Sequence, residues 1–356
     1  MKKIYYITAV FATLFLVGCG DGIDLPGVNV ETDLNKIPLP DNNVNLEQVE
    51  LKPSTEPMLH EGLHTEEDFQ RIRDKKAAGE EPWVSAYQLL VESQFSQKTA
   101  DTYPTEWIKR GVSGDENYMN AARGATIAYQ QALRWKIEQD DEYAAKAVEN
   151  LNKWVQTCVG VTGNTNLSLA AGLYGYEFAI AGELLRDYGG WDRADFAAFQ
   201  NWLLKVFYPA NDDFLKRHHD TNALHYWANW CLCNIAAKMA IGIVTDRRDI
   251  YNEGIAHLQT GDTNGRLRRA IYHDYAPDYN FAQWQESGRD QGHTLMCVGL
   301  MGIICQLAWS QGDDFFAYDD NLFLRACEYA ACCNYTNETV PYTTCLLYTS
   351  PSPRDR

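Results

Sequence analysis

The chain has 356 residues, with 31 Lys and Arg against 48 Asp and Glu and a formal net charge of −17. It is 46% hydrophobic and 22% charged with only 12 prolines, which excludes a disordered chain, a collagen-like repeat and a small disulfide-stapled domain. The acidic balance argues against a nucleic-acid partner, which needs a basic face to displace counterions from phosphate. An anionic substrate stays admissible, because a basic cleft can sit inside an acidic protein.

The two ends differ from the rest. Met1-Lys2-Lys3, a short apolar run and Leu16-Val17-Gly18-Cys19 resemble a bacterial lipoprotein signal with its lipobox. The apolar run is shorter than the ~20 residues that span a bilayer. Residues 1–18 are therefore expected to be a signal peptide and Cys19 the lipidated first residue of the mature chain. Localisation is expected at the outer membrane, facing the periplasm or the cell surface, with the lipid as the one membrane contact. Residues 19–58, rich in Asp, Asn, Pro and Val without a lasting period, read as a tether. At the far end, residues 345–356 match a reading frame of a sequencing-library adapter and are read as an artefact. The folded domain is expected over 59–344, with the natural chain continuing beyond it.

Within that domain Thr65-Glu66-Glu67-Asp68 forms a helix N-cap followed by acidic first-turn residues. Helices are predicted near 118–139, 141–159, 167–188, 192–207, 222–245, 247–259, 286–312 and 319–334. Ala128, Ala132 and Trp135 share one face, as do Tyr143, Ala147, Leu151 and Trp154 on the next segment. Turns rich in Gly, Asn and Asp separate them, and no segment alternates long enough for a strand. The class is all-α. Hairpins of unequal length without an exact repeat fit an (α/α) toroid or incomplete barrel, in which loops at one end build a cleft. Cys158, Cys231, Cys233, Cys297, Cys305, Cys327, Cys332 and Cys333 lie in apolar helical stretches without zinc-type spacing and read as buried free thiols.

Three polar clusters interrupt the apolar pattern. The first, Arg217 to Trp230, places His225 three residues after Asn222 and Asn229 four after His225 at the start of a predicted helix. An amide beside an imidazole suits carboxylate binding and proton transfer. The second, Gln283-Trp284-Gln285-Glu286-Ser287-Gly288-Arg289-Asp290-Gln291-Gly292-His293, puts Glu286, Arg289 and His293 on one helical face. The third, Arg266 to Phe281, holds three Arg and three Tyr between helices. Arg can pair with carboxylates bidentately, and a loop Tyr can move a proton. Arg266, Arg268, Arg269 and Arg289 are the candidates for a basic cleft.

His60-Glu61-Gly62-Leu63-His64-Thr65-Glu66-Glu67-Asp68-Phe69, His225-Tyr226-Trp227-Ala228-Asn229-Trp230 and the Gln283–His293 string together resemble the alginate-lyase-domain family of polysaccharide lyases. That resemblance spans about 60–344 and implies β-elimination on a uronic-acid polysaccharide, without cofactor or metal. It implies that His225 and Tyr279, ahead of Tyr275, move protons while Asn222 and Arg289 neutralise the carboxylate. Tyr275, Gln283, Trp284, Glu286, His293, Asn229 and Arg269 are then expected to contact substrate or orient these groups. Two residues separate Asn222 from His225, whereas many alginate lyases have Asn and His adjacent. Two other readings stay open: a toroidal glycoside hydrolase using Glu286 and Asp290, and a lipid-anchored glycan-binding protein without catalysis. The oligomeric state is not legible.

Overall fold

The computed structural model describes residues 55–336 and 339–343. The expected signal peptide, Cys19, nearly all of the tether and the expected artefact at 345–356 lie outside these residues. Helices dominate, as the periodicity predicts. They are α1 (Glu66–Ala77), α2 (Trp83–Glu92), α3 (Tyr118–Glu138), α4 (Asp141–Thr157), α5 (Leu167–Leu184), α6 (Arg193–Val206), α7 (Tyr208–Arg217), α8 (Ala228–Val244), α9 (Arg248–Thr260), the single turn α10 (Leu267–Ala270), α11 (Gln291–Ser310) and α12 (Tyr318–Tyr335). The Thr65 and Asp68 side chains form the reciprocal capping box that opens α1.

Burial separates the helices into two layers. From Ser168 to Leu184 every residue of α5 except Glu177 is buried, and so is every residue of α8 except Trp230. Helices apolar all round belong to an interior, and these two are the middle of an inner ring. By contrast α4 buries one face only, through Tyr143, Ala144, Ala147, Val148, Leu151 and Trp154. The inner helices run parallel. Asn234 of α8 donates to the Ser168 carbonyl near the start of α5, while Arg186, just past α5, donates to the Ile243 and Val244 carbonyls at the end of α8. Close approach of the pair depends on Gly172, where a Cβ would fall 2.5 Å from the Cys233 Sγ.

One end of this ring is closed by residues 56–64. Gln311, at the end of α11, accepts from the Leu59 amide and donates to the Leu59 and Glu61 carbonyls. His60 meets Asp246 beyond α8 at 2.9 Å, and Arg248 holds the Glu56 and Pro57 carbonyls. Met58 is buried there, so ordered contacts begin ahead of residue 59. The N-termini of α5, α8 and α11 face the opposite end.

Several expected boundaries are corrected. The helix expected from 222 begins at Ala228, because residues 221–227 are drawn into turns: Asn222 Oδ1 accepts from the Leu224 amide, and buried Asn264 holds the Leu224 and Tyr226 carbonyls. The helix expected from 286 begins at Gln291, capped by Asp290, with a 3₁₀ turn over Gln285–Gly288 ahead of it. Consequently neither Asn222–His225–Asn229 nor Glu286–Arg289–His293 shares a helical face. α7, with Pro209 in its first turn, was not anticipated. Four short strands also appear among the described residues: β1 (Trp107–Arg110) parallel to β2 (Gly160–Gly163), and β3 (Ile271–Asp274) antiparallel to β4 (Ala282–Trp284). Runs of three or four residues are too short to show alternation. No disulfide joins the eight described cysteines, of which Cys333 is exposed and Cys327 partly so.

Titratable groups inside the ring set the pH range of the fold. Loss of solvent lowers His64, His218 and His257 to about 4, and raises Glu177, whose Oε2 has no hydrogen-bond partner, to about 8. The unfolded histidines take up protons below their ordinary 6.5 while the folded ones do not, so stability falls as pH drops from 6.5 toward 4. Folded Glu177 keeps its proton up to about 8 although the unfolded group loses it near 4.5, so stability also falls as pH rises through that range. Three histidines outweigh one glutamate on the acid side. We therefore expect a denaturation midpoint that is maximal near pH 6.5. His257→Gln should flatten the acid limb by up to about 1.4 kcal/mol per pH unit, and Glu177→Gln the alkaline one.

Candidate active site

The start of α8 leaves amide donors that its own N-cap residue, Trp227, cannot satisfy. The second polar cluster supplies the acceptors. Gln285 Oε1 takes the Ala228 amide at 2.8 Å, and Glu286 Oε1 takes the Asn229 amide at 2.9 Å and the Asn229 Nδ2 at 2.6 Å. Glu286 is fully buried. Its Oε2 pairs with Arg289 Nη1 at 3.1 Å, and the Arg289 guanidinium lies over the Trp227 ring at 5.3 Å. Burial and the Glu286 charge push the Cys297 thiol, which donates to the same carboxylate, well above its ordinary range. One carboxylate thus fixes a helix end, a cation and, through Trp227, the adjoining loop.

The third cluster is the β3–β4 hairpin. Tyr275 follows β3, and its hydroxyl donates to Gln283 Oε1 of β4 and contacts Thr343 Oγ1 at 3.1 Å. Its ring meets His273 edge-on at 4.5 Å and stacks on Tyr329 at 6.2 Å. Burial raises the Tyr275 phenol above its ordinary value, so it is protonated at neutral pH, and burial lowers His273. Tyr279 is exposed and packs loosely against Tyr275 at 6.5 Å.

On the first cluster, exposed His225 packs edge-on against buried Tyr226 at 4.9 Å. His218 and His219 approach the same ring, and His219 Nε2 lies 3.0 Å from Ser168 Oγ at the start of α5. His218, His219 and Asp220 all have positive φ. Three such L-residues in succession are strained, a condition that concentrates at functional loops.

All three clusters therefore meet where α8 and α11 begin, with the Gln283–Arg289 stretch joining them. Not every expected substrate contact lines that region. Gln283, Trp284, Glu286 and Asn229 are buried and bonded inside the protein, Trp284 to the Ala326 carbonyl, so they support the site from behind. Arg268 pairs with Asp319 and Arg289 with Glu286, so two of the four arginines expected in a basic cleft have acidic partners, while Arg269 reaches the Asp262 carbonyl. His293 Nδ1 is held by Asp290 at 2.6 Å. Residues whose part was missed are Trp227, Gln285, Asn264 and His273. An apolar residue before a helix, facing a buried Gln-Glu pair elsewhere, was the available signal. Among the described residues no group of three His, Cys, Asp or Glu is placed to hold a metal.

The two helical layers make the protein an (α/α) toroid, a class that the solved structures of similar fold share. More particularly, a sequence profile described as alginate lyase matches residues 72–338, and the chain belongs to that family. Solved structures with a similar fold include alginate lyase A1-III from Sphingomonas species A1, with 13% identity, TM-score 0.54 and coverage of 78% of this chain and 80% of that one. A variant of A1-III complexed with tetrasaccharide gives 14% identity and TM-score 0.54 over 75% and 77% of the two chains. An alginate lyase from Bacteroides ovatus gives 15% identity and TM-score 0.55 over 75% and 81%. No curated protein sequence matches the chain significantly.

Removing the Glu286 side chain orphans both Asn229 donors and leaves Arg289 only the longer contact to Asp290 at 3.9 Å. Glu286→Ala is expected to cost about 2–4 kcal/mol in chemical denaturation, with Glu286→Gln costing roughly half of that.

Proposed function

We propose that this polysaccharide lyase cleaves an alginate-like, uronic-acid-containing polymer by β-elimination at the rim formed by 222–227 and 275–293. The observation that carries the reading is the joining of a fixed tyrosine hydroxyl and a fixed guanidinium through one buried stretch, Gln283 to Glu286. Elimination removes the hydrogen at C5 beside the uronate carboxylate. The electron pair forms the C4–C5 double bond, the C4–O4 bond breaks, and O4 takes a proton. Pairing of the carboxylate with Arg289 and Asn222 stabilises the enolate-like charge that develops.

Tyr275 replaces Tyr279 as the proton-moving tyrosine in this reading. Its hydroxyl is held in one direction by Gln283, whereas Tyr279 stands in solvent. A phenol kept protonated by burial suits the donor to O4, and in this reading exposed His225 takes the C5 proton. His293, oriented by Asp290, contacts a sugar hydroxyl in this reading. The hydrolase alternative loses support, since buried Glu286 is committed to Arg289 and Asn229 and cannot flank a glycosidic bond.

The decisive measurement is ultraviolet absorbance of the unsaturated product from a panel of uronate polymers. Tyr275→Phe and His225→Ala should each lower turnover by ~10²–10⁴-fold, and Asn222→Ala or Arg289→Lys by ~10²–10³-fold, with Tyr279→Phe near wild type. Substrate binding without unsaturated product from any polymer would favour the glycan-binding alternative.

We also infer attachment of the mature chain to the outer membrane through Cys19, on the strength of Leu16-Val17-Gly18-Cys19. Cys19→Ala should move the protein from the detergent phase to the aqueous phase in a partition assay, and unchanged partitioning would refute it.

A further inference from the structure

The hairpin that carries Tyr275 leans on an outer helix. Arg325 of α12 is 5% exposed, and its two terminal nitrogens straddle the carboxylate of Asp274: Nη1 donates to Oδ1, and Nη2 to Oδ2 at 2.9 Å. Nε donates to the Asp320 carbonyl at 3.2 Å, so the guanidinium is fixed on both edges. Asp274 is the last residue of β3, immediately before Tyr275. Its Oδ1 also accepts the Ala276 amide at 3.0 Å, and the Tyr275 amide donates to the Phe281 carbonyl at 3.0 Å. One turn after Arg325, Tyr329 stacks on the Tyr275 ring and meets Phe281 edge-on.

A buried ion pair adds little net stability compared with apolar side chains of the same volume. What a bidentate pair does supply is direction, because the planar fork matches one orientation of the carboxylate. Here the oriented carboxylate is bonded to the backbone on the far side of Tyr275. We propose that Arg325 is a positioning residue of the elimination: acting through Asp274, it fixes the backbone on both sides of Tyr275 and so aims the hydroxyl at the leaving O4. The inference rests on the reading of Tyr275 as proton donor.

The test compares Arg325→Lys in the wild-type chain and in a Tyr275→Phe background. Lys keeps the charge and loses the fork. In the wild-type background kcat should fall about 10- to 100-fold, the scale of a displacement of roughly 1 Å, with KM nearly unchanged. In the Tyr275→Phe background the residual rate should fall no further. Independently of activity, the Tyr275 phenol, read as the ultraviolet titration difference between each protein and its Tyr275→Phe counterpart, should titrate closer to an ordinary tyrosine once Arg325 is Lys, because the ring leaves its buried seat. Asp274→Asn, which keeps the acceptor for Ala276 and removes the charge, should reproduce all three results if Arg325→Lys fails to fold. Wild-type kcat in Arg325→Lys, an equal loss in both backgrounds, or an unmoved Tyr275 titration would each overturn the proposal. Full activity in Tyr275→Phe would instead sink the assignment of the donor, and the titration alone would then decide whether Arg325 holds Tyr275.

Discussion

The buried carboxylate of Glu286 is the constraint on which the site depends. A charge removed from water must be matched completely, and here the match comes from an amide of α8, an asparagine side chain, a thiol and an arginine. Those partners come from α8, from α11 and from the stretch leading into α11. Satisfying one group therefore locks two inner helices in register and brings loops distant in sequence to one place. The interaction also explains why Trp227 can sit at a helix start. The donors it leaves open are met from across the ring, and its indole is available to carry Arg289.

The parallel inner ring has an electrostatic consequence. Aligned helices add their dipoles, so the end where α5, α8 and α11 begin carries their partial positive charges. At α8 and α11 that end is already met by the carboxylates of Glu286 and Asp290, so the helix starts hold acidic groups of the rim in place. The arginines of the rim act more by orientation than by excess charge, since Arg268 and Arg289 each have an acidic partner.

The all-α class and the inner and outer layers were legible because three-to-four-residue periodicity reports burial directly. α4, with its one apolar face, and α5, apolar all round, announce different layers before any contact is known. The clusters were legible as interruptions of that pattern. Their roles were not, because a polar residue beside a helix start reads the same whether it faces solvent or caps another helix. Glu286, Asn229 and Gln283 resemble ligand-binding residues in sequence and are structural partners in space. The choice between Tyr275 and Tyr279 turned on a hydrogen bond to Gln283 across a hairpin whose strands are three and four residues long, below the length at which alternation is visible. Trp284 carries the same ambiguity: an aromatic next to polar residues can face a ligand or the interior, and here it is buried and donates to the Ala326 carbonyl, because neighbours along a strand point to opposite sides.

Residues 56–64 clasp the ends of α8 and α11, on the side away from the tyrosine rim. Residues up to 252 positions apart in sequence are thereby brought together, and the ring is shut at the pole opposite Tyr275. A disturbance of that clasp reaches Asp246, Arg248 and Gln311 first and the tyrosine rim last.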